Sequence, residues 1–121
     1  MPDPSDLAAF IGDSFRSIWT LELLLFLKQH AAVTWQHESL VSAMRASDAV
    51  VSTSVAQLFA AGLIASDGES AKYAPATKDL GHLVEEAERL YVQKPDAVRR
   101  LIVNRTTSLS AFADSFRIRR Q

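Results

Sequence analysis

Apolar and polar residues follow two different periods along this chain, and the changes of period mark its elements. Leu7, Phe10, Ile11 and Phe15 recur at helical spacing behind Pro4, Ser5 and Asp6, which predicts a first helix over Asp6–Phe15. Ser17–His30 is the most hydrophobic segment. Its polar positions within the apolar run shrink to a strip carrying Glu22 and Gln29, seven residues apart and so on one side of a helix. A helix apolar nearly all round is buried from several directions, so this one is expected to be the central scaffold, with Glu22 a carboxylate at the edge of the strip or a buried acid. Ala31–Thr34 reads as a connection with room for a short strand. Thr34 is placed to cap the next helix, although His37 rather than Glu three residues on leaves the capping box incomplete.

The stretch Thr34–Pro75 changes period twice. Leu40, Val41 and Met44 give an apolar face to a short helix over Trp35–Arg45, and Ala46-Ser47 breaks it. Ser47 is suited to cap a second helix over Asp48–Ala61, because its hydroxyl can accept from a free amide of the first turn. Val51, Val55 and Leu58 form that helix's buried stripe. Gly62 fits the left-handed position that ends a helix, and Leu63 and Ile64 start a strand. Asp67-Gly68 is a two-residue turn signal, followed by a strand over Glu69–Ala74 with Tyr73, closed by Pro75.

Beyond it, Leu80, Leu83, Val84, Ala87, Leu90 and Tyr91 follow a period of about 3.6, predicting a long helix over Thr77–Gln93. Its outer face carries Glu85, Glu86, Glu88 and Arg89, with Glu85 and Arg89 placed to pair. Pro95 suits the first turn of another helix, Pro95–Val103, with Val98, Leu101 and Ile102 inward. A loop at Asn104–Thr107 and a terminal helix over Ser108–Phe116, with Leu109, Phe112 and Phe116 on one side, complete the reading. Arg117, Arg119 and Arg120 come last, either capping that helix or reaching toward a phosphate backbone.

The order helix, turn, helix, hairpin over 34–75 resembles the winged helix-turn-helix of MarR-like and PadR-like bacterial transcription regulators. The likeness covers the middle third of the chain in detail and most of it in outline. It implies a mainly α fold with a small β-hairpin wing and additional helices at both ends, including C-terminal helices over 77–117. It also implies double-stranded DNA as partner, a homodimer made through the first and C-terminal helices, and a second helix that enters the major groove.

Composition narrows this picture. A length of 121 residues suggests one domain, with 48% apolar and 22% charged residues, as in ordinary globular proteins. Cysteine is absent, which excludes disulfides and thiolate metal sites and suits a reducing cytoplasm, the expected location. The acidic Met-Pro-Asp-Pro start is not a secretory signal, and the run Ile18–Leu27 holds Glu22 and is too short to span a membrane.

Charge is distributed against the DNA reading. Residues 1–33 and 34–75 each hold two basic and four acidic groups, for −2 apiece, whereas 76–121 holds nine basic and six acidic, for +3. Phosphate contacts supply much of a DNA-binding domain's affinity, so the usual arrangement is the reverse. Candidate DNA contacts are Arg45, Ser47, Asp48, Ser52, Thr53 and Gln57 on the helix pair and Lys72 on the wing. Ser52, Thr53 and Gln57 can donate to and accept from bases or phosphates. The second helix itself has no Lys or Arg, and the wing tip Ser66–Ser70 is acidic. A competing reading uses Val50 and Phe59, apolar at positions the register leaves exposed, as a surface for a protein partner. Arg99 and Arg100 read as a solvated face.

Enzyme chemistry finds no support in the sequence. The glycines Gly12, Gly62, Gly68 and Gly81 are scattered, with no phosphate loop and no nucleophile elbow. His30, His37 and His82 form no pair at metal-binding spacing, and His37-Glu38 lacks a second histidine nearby. No cofactor, metal or catalytic residue is therefore expected.

Overall fold

The computed structural model describes residues 4–103. The helices are α1 (Pro4–Ser14), α2 (Ile18–Gln29), α3 (His37–Met44), α4 (Asp48–Ala60) and α5 (Lys78–Gln93). A further helix, α6, covers 95–103. The strands are β1 (Trp35–Gln36), β2 (Ile64–Ser66) and β3 (Ser70–Tyr73). The described residues are thus mainly helical, with a small antiparallel sheet ordered β1-β3-β2. The expected loop at 104–107, the helix over 108–116 and Arg117, Arg119 and Arg120 lie outside the described residues.

α2 is the centre of the molecule. Thr20, Leu21, Leu23, Leu24, Leu25 and Leu27 are all buried, because α4 packs on one side of it and β3 on another. Lys28 Nζ meets Glu88 Oε1 of α5 at 2.7 Å, at the edge of that core. α1 lies against α5, and its Ile11, with Phe15 just beyond its end, is fully buried. The apolar stripe of α5 divides as the period requires, with Val84 and Ala87 buried and Leu80, Leu90 and Tyr91 packed at the margin. Glu22 sits at the edge of its strip and accepts a 2.6 Å hydrogen bond from the Tyr91 hydroxyl. Burial, then the Glu22 carboxylate, pushes the Tyr91 phenol upward.

Three local expectations are corrected. Trp35 and Gln36 are not the first turn of α3 but the strand β1, paired with Ala71 and Ser70. Trp35 turns inward there, its ring 4.7 Å from Phe26 and 5.4 Å from His30 between centroids. Thr34 consequently caps nothing. The N-cap is Gln36, without a side-chain bond, and the His37 amide donates instead to the Glu69 carbonyl of the hairpin at 2.9 Å. The sheet takes over an amide that a cap would have satisfied. On α5, Arg89 pairs with Glu86 rather than Glu85.

The α3–α4 turn and the end of α4 agree closely with the sequence pattern. Arg45 takes the left-handed conformation at φ 54, and the Ala46 amide reaches back to Val41 O at 3.3 Å. Ser47 Oγ accepts from the Val50 amide at 3.1 Å and caps α4. At the other end Gly62 adopts φ 77, with Gly62 N–H to Phe59 O at 3.0 Å and Leu63 N–H to Leu58 O at 3.1 Å. That pair of bonds is a Schellman cap, and it delivers Leu63 and Ile64, both buried, into the sheet.

Candidate nucleic-acid and partner interface

α4 is held by two different kinds of contact. Val51 and Leu58 are buried apolar anchors. Ser54 is buried as well and meets Thr20 Oγ1 of α2 at 3.3 Å. Thr20, only 1% exposed, donates to Gln57 Oε1 at 3.0 Å and lies 3.2 Å from Ser17 Oγ. A hydroxyl sealed between two helices needs such partners, and this cluster fixes how α4 sits on α2.

With that side fixed, the outward face of α4 is set by its period. Ala49, Ser52, Thr53, Ala56 and Ala60 are all exposed, small and uncharged. The expected contacts Ser52 and Thr53 lie on this face. Gln57 does not join them: it is half-buried in the α2–α4 seam, with its carbonyl oxygen taken by Thr20. Ser47 is engaged as a cap, and Asp48 Oδ1 lies 2.5 Å from His37 Nε2. Arg45 is exposed in the turn before α4. Lys72 is on the central strand β3, with Ala71 buried beside it, so the alternation directs Lys72 outward.

Val50 and Phe59 do not share a surface. They are nine residues apart, half a turn out of phase, and each lines a cleft on an opposite flank of α4. Val50 borders a cleft of about 350 Å³ with Arg16, Trp19, Ala49 and Thr53, in which Trp19 of α2 is 43% exposed. Phe59, 55% exposed, borders a groove between α4 and the hairpin.

That second groove is the larger feature. One lobe, of about 530 Å³, is formed by Ser52, Val55, Ala56 and Phe59 of α4 facing Ser66, Asp67 and Gly68 of the hairpin. The other, of about 510 Å³, continues over Gln36, His37, Glu38, Gly68 and Glu69. His37, Ser52 and Gly68 border both, so the lobes form one trough. Glu38, Asp67 and Glu69 line it, and no Lys or Arg is among its described lining residues.

The hairpin wall of the trough is built around Asp67. Its Oδ1 accepts from the Glu69 amide at 2.9 Å, the Ser70 amide at 2.9 Å and the Ser70 hydroxyl at 3.0 Å. These bonds, first that from Glu69, hold the carboxyl below the usual aspartate range, so it is an anion at neutral pH. Gly68 takes φ 94 at the tip. Ser66 Oγ donates to Ser70 O at 2.6 Å and accepts from the Gly68 amide at 3.1 Å.

The sequence did not mark His37 or Trp19 as members of these surfaces. His37 joins α3, α4 and the hairpin through partners distant in sequence, and Trp19 stands out only once α4 is docked on α2. Among the described residues, no three His, Asp or Glu side chains converge as a metal site would require. No helix among them is long and apolar enough to cross a membrane. Comparison of the chain with family models, with curated proteins and with solved structures finds no match.

Proposed function

We propose that the chain is a winged helix-turn-helix regulator of bacterial transcription, acting in the cytoplasm as a homodimer on double-stranded DNA. The observation that carries this reading is the outward face of α4. It is a helix capped by Ser47, fixed rigidly on α2, and faced with Ala49, Ser52, Thr53 and Ala56 beside a hairpin. Small uncharged side chains allow a helix close to the floor of the major groove, and Ser52 and Thr53 can hydrogen-bond there. Arg16, which borders the cleft beside Ala49 and Thr53, Arg45 in the turn before α4 and Lys72 on β3 would take phosphates, with no catalytic role for any residue.

Few cations imply a shallow salt dependence. Three phosphate contacts give a slope of log K against log salt near −2.7, at about −0.9 per contact. The test is retention of genomic fragments by the purified protein at about 50 mM and about 200 mM salt, with sequencing. Enrichment of one sequence class that survives the higher salt, and is lost in Ser52→Ala/Thr53→Ala, is expected. No retention at either salt would overturn the reading.

A second reading is favoured by one observation, the acidic trough. A groove that presents Glu38, Asp67 and Glu69 repels phosphate and suits a protein partner, with Phe59 as its apolar anchor and Val50 serving a separate cleft. Phe59→Ser separates the two readings, because it removes an exposed anchor while leaving the Ser52/Thr53 face intact.

A further inference from the structure

The two lobes of the α4–hairpin trough differ in chemistry and open into each other. The first is walled by Val55, Ala56 and Phe59 of α4, with Asp67 of the hairpin opposite. The second holds Gln36, Glu38 and Glu69. Gly68 borders both, and the space beside it is open, since even a β-carbon there would meet nothing within 4 Å.

The charge of the trough is uncompensated. Among the described residues, no Lys or Arg pairs with Glu38, Asp67 or Glu69. Asp67 is held ionised by the hairpin amides. His37, where the lobes join, already faces Asp48 at 2.5 Å. Like charges lining one groove repel, so a cation set among them relieves repulsion as well as gaining attraction. A large apolar side chain against Phe59 would displace water from the first lobe. A phosphate backbone meets only repulsion here, and a neutral apolar segment leaves three carboxylates unanswered. The matching occupant carries a large apolar side chain with Lys or Arg close to it.

We infer that the trough binds a basic segment of another protein. An aromatic or large aliphatic side chain of that segment sits against Phe59 and Val55, one cation beside Asp67 and a second between Glu38 and Glu69. The inference rests on the second reading above, to which it adds the chemistry of the partner and the place of each of its side chains. It does not rest on the DNA reading.

The test is selection of a display library of random peptides on the full chain, followed by titration of the enriched peptides into isotope-labelled protein. Enriched peptides are expected to carry Lys or Arg around an aromatic or large aliphatic residue. They should move the amide signals of Ser52, Phe59, Gly68 and Glu69 and leave those of Trp19 and Val92 in place. Affinity should fall about fivefold in Glu38→Gln/Glu69→Gln, and also between about 50 mM and about 200 mM salt. Phe59→Ser should cost about tenfold or more. Both variants change exposed side chains, and amide signals away from the trough verify that the fold is kept. Neutral or acidic peptides that move the same trough signals would overturn the basic partner while the second reading stands. No peptide class that depends on Phe59 would overturn both. Trough signals that shift with protein concentration alone would assign the trough to a second copy. Shifts there on adding duplex DNA would assign it to nucleic acid. Either result overturns the inference.

Discussion

Thr20 is a residue whose substitution should be costly out of proportion to its size. Its hydroxyl is shut between α2 and α4, donating to Gln57 and lying 3.3 Å from Ser54. Valine in its place fills the same volume but leaves buried Ser54 and half-buried Gln57 short of a partner. Thr20→Val is expected to lower stability by about 1–3 kcal/mol in urea titration, and Thr20→Ser by distinctly less. Arg45 presents the opposite case. It holds φ 54 with a β-carbon that disfavours it, so Arg45→Gly is expected to raise stability by about 0.5–1 kcal/mol. If Arg45 also meets a phosphate, the same substitution weakens DNA binding while the melting temperature rises. That combination distinguishes a contact from a structural role. Both conformations were invisible as energies in the sequence. Threonine in an apolar run and arginine before a break are compatible with many local arrangements.

At the scale of elements, the hairpin depends on one carboxylate. The Asp67 carboxyl has its affinity for protons lowered by the folded tip, chiefly by the Glu69 amide. A depressed folded-state value means that its contribution is complete above the ordinary aspartate pKa of about 3.9. That contribution is lost as pH falls below it toward the folded-state value. Amide exchange at Ser70 should therefore accelerate relative to Leu24 under acid conditions, and Asp67→Ala should produce the faster exchange already at neutral pH. α4 rests similarly on Ser47, the cap read from the sequence, and Ser47→Ala is expected to cost about 1 kcal/mol. The contrasting cap at Thr34 was wrong for a reason that no local pattern contains. β1 is two residues long, and its pairing partners Ala71 and Ser70 lie more than thirty residues away. Once that pairing forms, the hairpin rather than a threonine receives the first amide of α3.

At the scale of the molecule, the apolar helices at the two ends were expected to build a dimer. Within the chain α1 lies against α5 with Ile11 and Phe15 fully buried, while Leu7 and Phe10 are only partly buried. For the proposed homodimer, exposed apolar residues are also offered by α5 and α6, where Val92 is 76% and Val103 59% exposed. Sedimentation at micromolar concentration is expected to show a dimer that Val92→Glu converts to monomer with an unchanged melting curve. A monomer in the unsubstituted chain would remove the dimer from the proposed function.

By itself, the sequence determined the helices whose period is long and consistent: α2 as a core helix, α5 with its inward stripe, and α4 from Ser47 to Gly62. Each is dictated by residues within a few positions of one another, through burial period, cap hydroxyl and glycine stop. Only the tertiary structure decided the surfaces. The trough arises because the hairpin folds back beside α4, bringing Asp67 and Glu69 opposite Phe59. Gln57 leaves the outward face because α2 offers it Thr20, and Val50 and Phe59 part company because a helix of fixed pitch is docked at one angle. These are consequences of pairing and packing between residues far apart in the chain. A pattern read along one dimension carries the period of each face but not what is laid against it.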